Sequence, residues 1–276
     1  METLQHKIIN ELGVKPEIDP VEEIADRTLF LEQYLDKSGM NGYVLGISGG
    51  QDSLLAGMLA QRAVMNLHER TGKNVTFHPV LLPYGTQTDR YDAELACKVI
   101  DSEITPHDFD IRSATDALAK TFASSENLEL PDYHKGNVKA RMRMIAQYAI
   151  AGQYGLLVIG TDHAAEAAVG FFTKFGDGGA DVLPLSGLNK RQGRQLLQEL
   201  GAPKIFVSKR PTADLLDNKP AQADEDELGL TYDQLDDYLE GKKVSTSVAS
   251  RIEQHFLKTE HKRSLPRAYT DLLIAR

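Results

Sequence analysis

The sequence contains no tryptophan and a single cysteine, Cys97. One thiol closes no intrachain disulfide and builds no cysteine-rich zinc site. No apolar stretch approaches the roughly 18 residues that a membrane-spanning helix requires. The N-terminal run Met1-Glu2-Thr3-Leu4-Gln5-His6-Lys7 lacks the apolar core of a secretory signal. Positive charge is also in deficit: 31 Lys and Arg stand against 40 Asp and Glu, a formal net charge of -9. That balance argues against broad nucleic-acid or anionic-membrane binding. The expected compartment is the cytoplasm, with neither nucleic acid nor membrane as partner. What remains is ordinary globular composition, 41% hydrophobic and 26% charged over 276 residues. That length suffices for a substantial core.

Periodicity points to alternating helices and strands. Residues 17-39 read as a helix with Ile24, Leu29, Leu31, Tyr34 and Leu35 as apolar face. Tyr43-Val44-Leu45-Gly46-Ile47 reads as a buried strand. Leu55, Leu59, Ala63 and Leu67 then recur at a spacing of four, which is helical. Residues 75-82 suggest a second strand despite Pro79. Residues 89-100 and 113-123 suggest helices, and 105-111 a strand between them. Asn137 is expected to cap a longer helix whose stripe is Val138, Met142, Ile145 and Ala149. Gly155-Leu156-Leu157-Val158-Ile159-Gly160 is the clearest buried strand. Asn189 is placed to cap a helix running to Leu200. Residues 231-240 and 245-257 suggest short amphipathic helices, after an irregular stretch over 203-223. The pattern predicts an α/β fold with a parallel sheet. It is expected as one domain over 1-276, with a C-terminal extension from about residue 203.

One motif joins the first strand to its helix: Gly46-Ile47-Ser48-Gly49-Gly50-Gln51-Asp52-Ser53. Glycines permit a sharp turn and let backbone N–H groups approach an anion. The following helix aims its positive end at the same place. Ser48 and Ser53 offer hydroxyl donors. No Gly-Lys-[Ser/Thr] follows, so this is not a Walker A loop. An aspartate inside a phosphate cradle repels the ligand unless a cation intervenes, so Asp52 points to Mg²⁺. The plainer alternative is a tight turn with Asp52 as helix cap.

A second loop, Thr161-Asp162-His163-Ala164-Ala165-Glu166-Ala167, follows the strand ending at Gly160. In a parallel sheet it opens on the same edge as the first. Thr161 and Glu166 then approach the nucleotide, and Glu166 becomes a second candidate metal carboxylate. His163 reads as a structural histidine.

The Ser-Gly-Gly-Gln-Asp-Ser loop resembles the signature of the N-type ATP pyrophosphatases. Further segments make the chain similar to ammonia-dependent NAD⁺ synthetases: Gly136-Asn137-Val138-Lys139-Ala140-Arg141, residues 160-167, and 170-179. So do 188-193, Pro211-Thr212-Ala213-Asp214-Leu215, Tyr238-Leu239-Glu240-Gly241 and Thr259-Glu260-His261-Lys262-Arg263. Together they span most of residues 15-265. The resemblance implies a Rossmann-like parallel sheet flanked by helices, of the adenine nucleotide alpha hydrolase-like kind. It implies adenylation of the nicotinate carboxylate of deamido-NAD⁺ by ATP, then attack by ammonia, giving NAD⁺, AMP and pyrophosphate. This is the final step of NAD⁺ biosynthesis.

By motif position, Gly46, Ile47, Ser48, Gly49, Gly50, Gln51, Asp52 and Ser53 would cradle ATP phosphates. Thr161, Lys190 and Thr212 would also contact ATP. Asp52 and Glu166 would hold Mg²⁺. Arg141, Lys174, Asp177 or Asp181, His261 and Lys262 would face deamido-NAD⁺, with Tyr34 and Tyr133 on its nicotinate side. Asp52, Lys190 and Asp177 would carry the catalysis. The family implied is homodimeric, with the dinucleotide across the interface. Residues 170-189 would form a lid that keeps water from the acyl-adenylate. The chain departs from the pattern at Leu81, where an arginine near the adenine is expected.

Two other readings compete. A tRNA-modifying sulfur transferase commonly needs paired cysteines and a basic surface, which Cys97 and the charge of -9 oppose. A non-catalytic nucleotide-binding regulator would have no need of Glu166, Lys190 and the lid. Nothing in the chain reads as a glutaminase unit, so free ammonia or a separate donor chain is expected.

Overall fold

The computed structural model describes residues 3-86, 89-176, 178-213, 215-217 and 222-264, together with 266, 268 and 269. Two helices open the chain, α1 (Leu4–Leu12) and α2 (Pro20–Ser38). Then come β1 (Gly42–Gly46), α3 (Gln51–Thr71), β2 (Thr76–Leu81), α4 (Arg90–Ile100) and β3 (His107–Asp108). They are followed by α5 (Arg112–Glu126), α6 (Asp132–Tyr154), β4 (Leu157–Val158), α7 (Ala164–Val169) and α8 (Lys190–Glu199). The rest comprises α9 (Lys204–Val207), β5 (Thr212–Ala213), β6 (Gln222–Ala223), α10 (Asp224–Leu228), α11 (Tyr232–Leu239), α12 (Thr246–Lys258) and α13 (Glu260–Arg263). Among the described residues, no helix is long and apolar enough to cross a membrane.

The main sheet has four strands in the order β3-β2-β1-β4, all parallel. A single parallel bridge from Ile159 to Val182 extends it beyond β4. Alternation along the strands divides the core. Tyr43, Leu45, Ile47, Phe77, Leu81, Leu157 and Ile159 join one buried cluster with residues of α2, α3, α4 and α8. Val44, Val80, Leu82 and Val158 join another with Ala146 and Ile150 of α6. A helical layer on each face explains why these strands read as continuous apolar runs. β1 is central, and the chain leaves it to β2 on one side and returns to β4 on the other. That is the topological switch point, where open α/β sheets bind ligands beyond the carboxyl ends of their strands.

Local chemistry sets the helix ends. Asp19 accepts from the N–H groups of Val21 and Glu22 ahead of Pro20, and Gly39 closes α2 in the left-handed region. Asn189 caps α8 as expected, and with Gln192 it forms a reciprocal capping box. Pro79 is tolerated because its missing N–H faces β3. Asn41 accepts from Thr76 and Val80 accepts from Ile47, so even-numbered residues of β2 bond towards β1. β3 pairs only with Val80 and Leu81, beyond Pro79.

Several expectations are corrected. Asn137 is not a cap, because α6 begins earlier, at Asp132. Its amide lies inside the helix, donating to Tyr133 O and accepting from Thr173 Oγ1 at 2.8 Å. The buried face of α6 includes Gly136, Lys139, Ala140, Ala146 and Ile150, whereas Ile145 and Ala149 are exposed. The strand expected over 105-111 contracts to two residues. α1 was not anticipated, although Thr3 caps it and Gly13 ends it. Its Ile8 and Ile9 pack with α7, α11 and α12 in a separate cluster.

Leu59 of α3 is fully buried beneath β1. Leu59→Ala is expected to lower stability by about 2–5 kcal/mol. The readout is the midpoint of urea unfolding followed by circular dichroism.

Candidate active site

A cavity of about 660 Å³ opens at the carboxyl edge of β1 and β4. Its wall includes Gly46, Ile47, Ser48, Gly50, Gln51, Asp52 and Ser53 from the first loop, and Gly160, Thr161 and Glu166 from the second. Lys190 at the start of α8 closes one side.

The glycine-rich loop is braced from several directions. Gly46 N donates to Gln147 Oε1 of α6 at 2.7 Å. Gln51 Nε2 donates to Val207 O and Lys209 O. Lys209 Nζ donates to Gly49 O at 3.0 Å and pairs with Asp92 at 2.6 Å. Gly49 has φ +75°, and a Cβ there would fall 2.6 Å from Ala93 N, so the loop lies directly on α4. The serine hydroxyls serve the loop itself: Ser48 and Ser53 are linked at 3.1 Å, Gly50 N donates to Ser48 Oγ, and Ser48 N donates to Ser53 Oγ. Gly50 is the N-cap of α3 and provides no side-chain acceptor. The helix therefore presents its first N–H groups without a side-chain cap, which suits an anion.

Asp52 sits inside the first turn of α3, not at its cap. Its Oδ2 accepts from Lys190 Nζ at 2.6 Å. Its Oδ1 lies 3.8 Å from His163 Nε2, and that nitrogen is 3.5 Å from Glu166 Oε1. Asp52, His163 and Glu166 place one ligand atom each within 4.8 Å of one another. Burial pushes the Asp52 carboxyl up, but the Lys190 ammonium and His163 outweigh it and hold it below the usual range. Burial likewise opposes the Lys190 charge, and Asp52 with Glu166 raises it above its ordinary value. Burial lowers His163 to about 4 against the pull of Asp52, with Lys190 adding to the fall.

A cation at a helix N-terminus is unfavourable, so Lys190 needs local compensation. Asp236 of α11 is fully buried and accepts the backbone N–H of Lys190 at 3.1 Å and of Arg191 at 2.7 Å. Burial pushes its carboxyl up to about 6, while those two N–H groups hold it down. The Tyr232 ring lies 5.1 Å from Lys190 Nζ, and its hydroxyl donates to Asp224 Oδ2 at 3.0 Å.

Of the other sequence-predicted residues, Tyr133, His261 and Lys262 line the same cavity. His261 and Lys262, together with Arg141 and Lys174, also clasp the 170-176 segment. Arg141 donates to Lys174 O, Lys174 Nζ to His261 O, and Lys262 Nζ to Gly170 O and Phe172 O. Tyr34 lies outside the cavity on α2, beside Phe30. Asp181 accepts from Val158 N at 2.7 Å and from Tyr148 Oη at 3.3 Å, at the sheet edge. Asp177 and the side chain of Thr212 lie outside the described residues. Leu81 is buried against the helices on the other face, whereas Leu82 lines the cavity.

Sequence reasoning missed Arg143, Gln147, Lys209 and Asp224, all of which line the cavity. No local signal marks Lys209 or Asp224, which arrive from the irregular C-terminal third. His163 carried a readable signal: three positions before Glu166 at the start of a helix, it shares that residue's side.

The donor set fits a hard divalent cation. Two carboxylates converge beside an anion-binding helix end, and in their present arrangement an ammonium already neutralises one of them.

Comparison with known proteins agrees with this geometry. A family model described as NAD synthase matches residues 23–266. The chain is 59% identical over 269 residues to an NH(3)-dependent NAD(+) synthetase of Bacillus velezensis, covering 98% of each. It is 58% identical to the Bacillus subtilis protein of that name, again over 98% of each. The NAD+ synthetase structure from Burkholderia pseudomallei superposes with a TM-score of 0.81 at 45% identity, covering 95% of this chain and 96% of that one. An NMN synthetase from Francisella tularensis gives a TM-score of 0.78 at 36% identity, covering 91% and 99%. The adenine nucleotide alpha hydrolase-like α/β fold expected from the sequence is the one present. By sequence, by fold and by the loops that ring its cavity, the chain belongs to the NAD synthase family.

Proposed function

We propose that this chain catalyses the ATP-dependent amidation of deamido-NAD⁺ with ammonia, the last step of NAD⁺ biosynthesis. The observation that carries the reading is the meeting of Asp52, Glu166 and Lys190 at an uncapped helix end, in a chain whose near relatives bear that activity.

The chemistry is a two-step acyl transfer. A nicotinate carboxylate oxygen bonds to the α-phosphorus of ATP, and the bond to pyrophosphate breaks. Ammonia nitrogen then bonds to the acyl carbon, AMP leaves, and a proton is released. Within the loop over residues 46-53, the backbone N–H groups at the start of α3 would hold the phosphates that depart. Lys190, with Thr161 and Thr212 nearby in the motif order, would place positive and hydrogen-bonding groups where charge accumulates. Asp52 and Glu166 would hold Mg²⁺, which when bound supplies positive charge to the phosphate oxygens. Phe171 and Phe172 line the cavity from the 170-176 segment, which supports a role in excluding water. Asp177 is proposed for the catalytic step and Tyr133, His261 and Lys262 for the dinucleotide. No protein nucleophile is required. We read the whole chain as one cytoplasmic catalytic domain, extended from about residue 203.

The residues proposed for the dinucleotide that stand outside this cavity, Tyr34, Arg141, Lys174 and Asp181, support a homodimer in which they serve the partner's site. Ile145 and Tyr148 of α6 are 51% and 39% exposed, apolar area suited to such a contact. Ile145→Asp is expected to convert the dimer to monomer in sedimentation, with kcat/KM falling about tenfold or more as the shared site opens.

Turnover of deamido-NAD⁺ with Mg·ATP tests the activity. Ammonium is expected to yield NAD⁺, AMP and pyrophosphate in equal amounts, with little product from glutamine. Preference for nicotinate mononucleotide over deamido-NAD⁺ would move the assignment towards the NMN synthetase relative. Asp52→Ala is expected to lower kcat/KM by at least ~100-fold, on the order of 2.7 kcal/mol. Full activity in that variant would remove the metal assignment.

A further inference from the structure

The cluster Asp52–His163–Glu166 has the composition of a three-ligand metal site, yet the imidazole is tied in a way that opposes ligation. His163 is the N-cap of α7 and is 3% exposed. Its Nδ1 accepts the backbone N–H of Glu166 at 3.4 Å. A nitrogen that accepts a hydrogen bond carries no proton, so in the neutral ring the proton resides on Nε2. The opposite tautomer would set an Nδ1–H against the Glu166 N–H, two donors face to face. It would also aim an Nε2 lone pair at two carboxylates. Nε2 lies 3.5 Å from Glu166 Oε1 and 3.8 Å from Asp52 Oδ1, buried and without a hydrogen bond of its own. An N–H in that place lies beside both acids and satisfies neither fully.

We infer that His163 is a positioning residue: its Nε2–H stands between Asp52 and Glu166, spaces the two carboxylates for a cation, and stays out of the cation's coordination shell. The inference rests on the proposal that those two carboxylates hold the metal. His163 acts through them, as groups around metal ligands do when they orient the ligands by hydrogen bonding. The same residue starts α7, so helix and metal site share one side chain. Asn caps helices as well as any residue, through its own carbonyl oxygen. His163→Asn therefore keeps an acceptor for Glu166 N–H while removing the Nε2–H.

The experiment uses the full chain with Mn²⁺ as probe, in the presence of a non-hydrolysable ATP analogue. Mn²⁺ affinity is measured by electron paramagnetic resonance for wild type, His163→Asn and Asp52→Asn. The protonated ring nitrogen is read from ¹⁵N spectra of histidine-labelled wild type loaded with Mg²⁺, with the His163 signal assigned by its loss in the variant. The expected result is a proton on Nε2 and a ~10–100-fold weaker Mn²⁺ affinity in His163→Asn, with Tm little changed. Deprotonated Nε2 beside a protonated Nδ1 in the Mg²⁺ form would overturn the inference, because His163 would then be a ligand. Unchanged Mn²⁺ affinity in His163→Asn, with Asp52→Asn weakened, would overturn the role of His163 alone. Unchanged affinity in Asp52→Asn would overturn the metal assignment beneath it. Should His163→Asn fail to fold, the His163 signal is assigned instead by its persistence as the other seven histidines are replaced in turn, and the ¹⁵N spectrum then decides the tautomer.

Discussion

The ion pair between Asp52 and Lys190 is the interaction on which the site depends. It joins the first turn of α3 to the first turn of α8, 138 residues apart in sequence. Lys190 is almost wholly buried, and a buried ammonium is tolerated only when paired. Removing one partner of such a pair commonly costs about 3–5 kcal/mol, because the other is left charged and dry. The surroundings answer that demand: Asp236 accepts from the backbone at the Lys190 end, and Tyr232 presents its ring to the ammonium. A pair that is expensive to hold and closely surrounded makes sense where charge must be ready for a developing phosphate charge. Substrate binding would redistribute Asp52 between Lys190 and a metal rather than create a new charge.

The rest of the cavity follows from that joint and from the sheet. β1 and β4 deliver both loops to one edge because they are parallel neighbours. α6 reaches across to hold Gly46 through Gln147, and Lys209 holds Gly49 from the opposite side. The 170-176 segment is gripped by cations that donate to carbonyl oxygens, Arg141 and Lys174 among them. Among the described residues, neither of those two is paired with a carboxylate. Their charge is thus compatible with an anionic ligand.

Much of this was legible in the sequence, for identifiable reasons. The central strands are apolar on both faces and the loop between β1 and α3 is chemically distinctive, so the fold class and the place of that loop at the cavity followed from periodicity and glycine placement. Asn189 announced α8 because an N-capping amide directly precedes its first turn. Asn137 misled because an amide before an apolar stripe has the same signature whether it caps a helix or lies inside one. The stripe misled because Ile145 and Ala149 are apolar yet outward, and a single chain's periodicity does not separate core from contact surface. Lys209, Asp224 and Asp236 were beyond sequence reasoning, since each acts at the site only through long-range packing. His163 was read as structural, and it does cap α7. Its second nitrogen was invisible without the approach of Asp52 from another helix.

The central claim is that this site activates a carboxylate by joining it to AMP, with pyrophosphate as leaving group. The most direct measurement is exchange of labelled pyrophosphate into ATP by the purified chain with Mg²⁺, without ammonia or glutamine. Exchange that appears only when deamido-NAD⁺ is added, and that ammonium suppresses by drawing off the intermediate, is the predicted result. Exchange independent of deamido-NAD⁺, or none under conditions where NAD⁺ is formed once ammonium is supplied, would contradict a reversible acyl-adenylate at this loop.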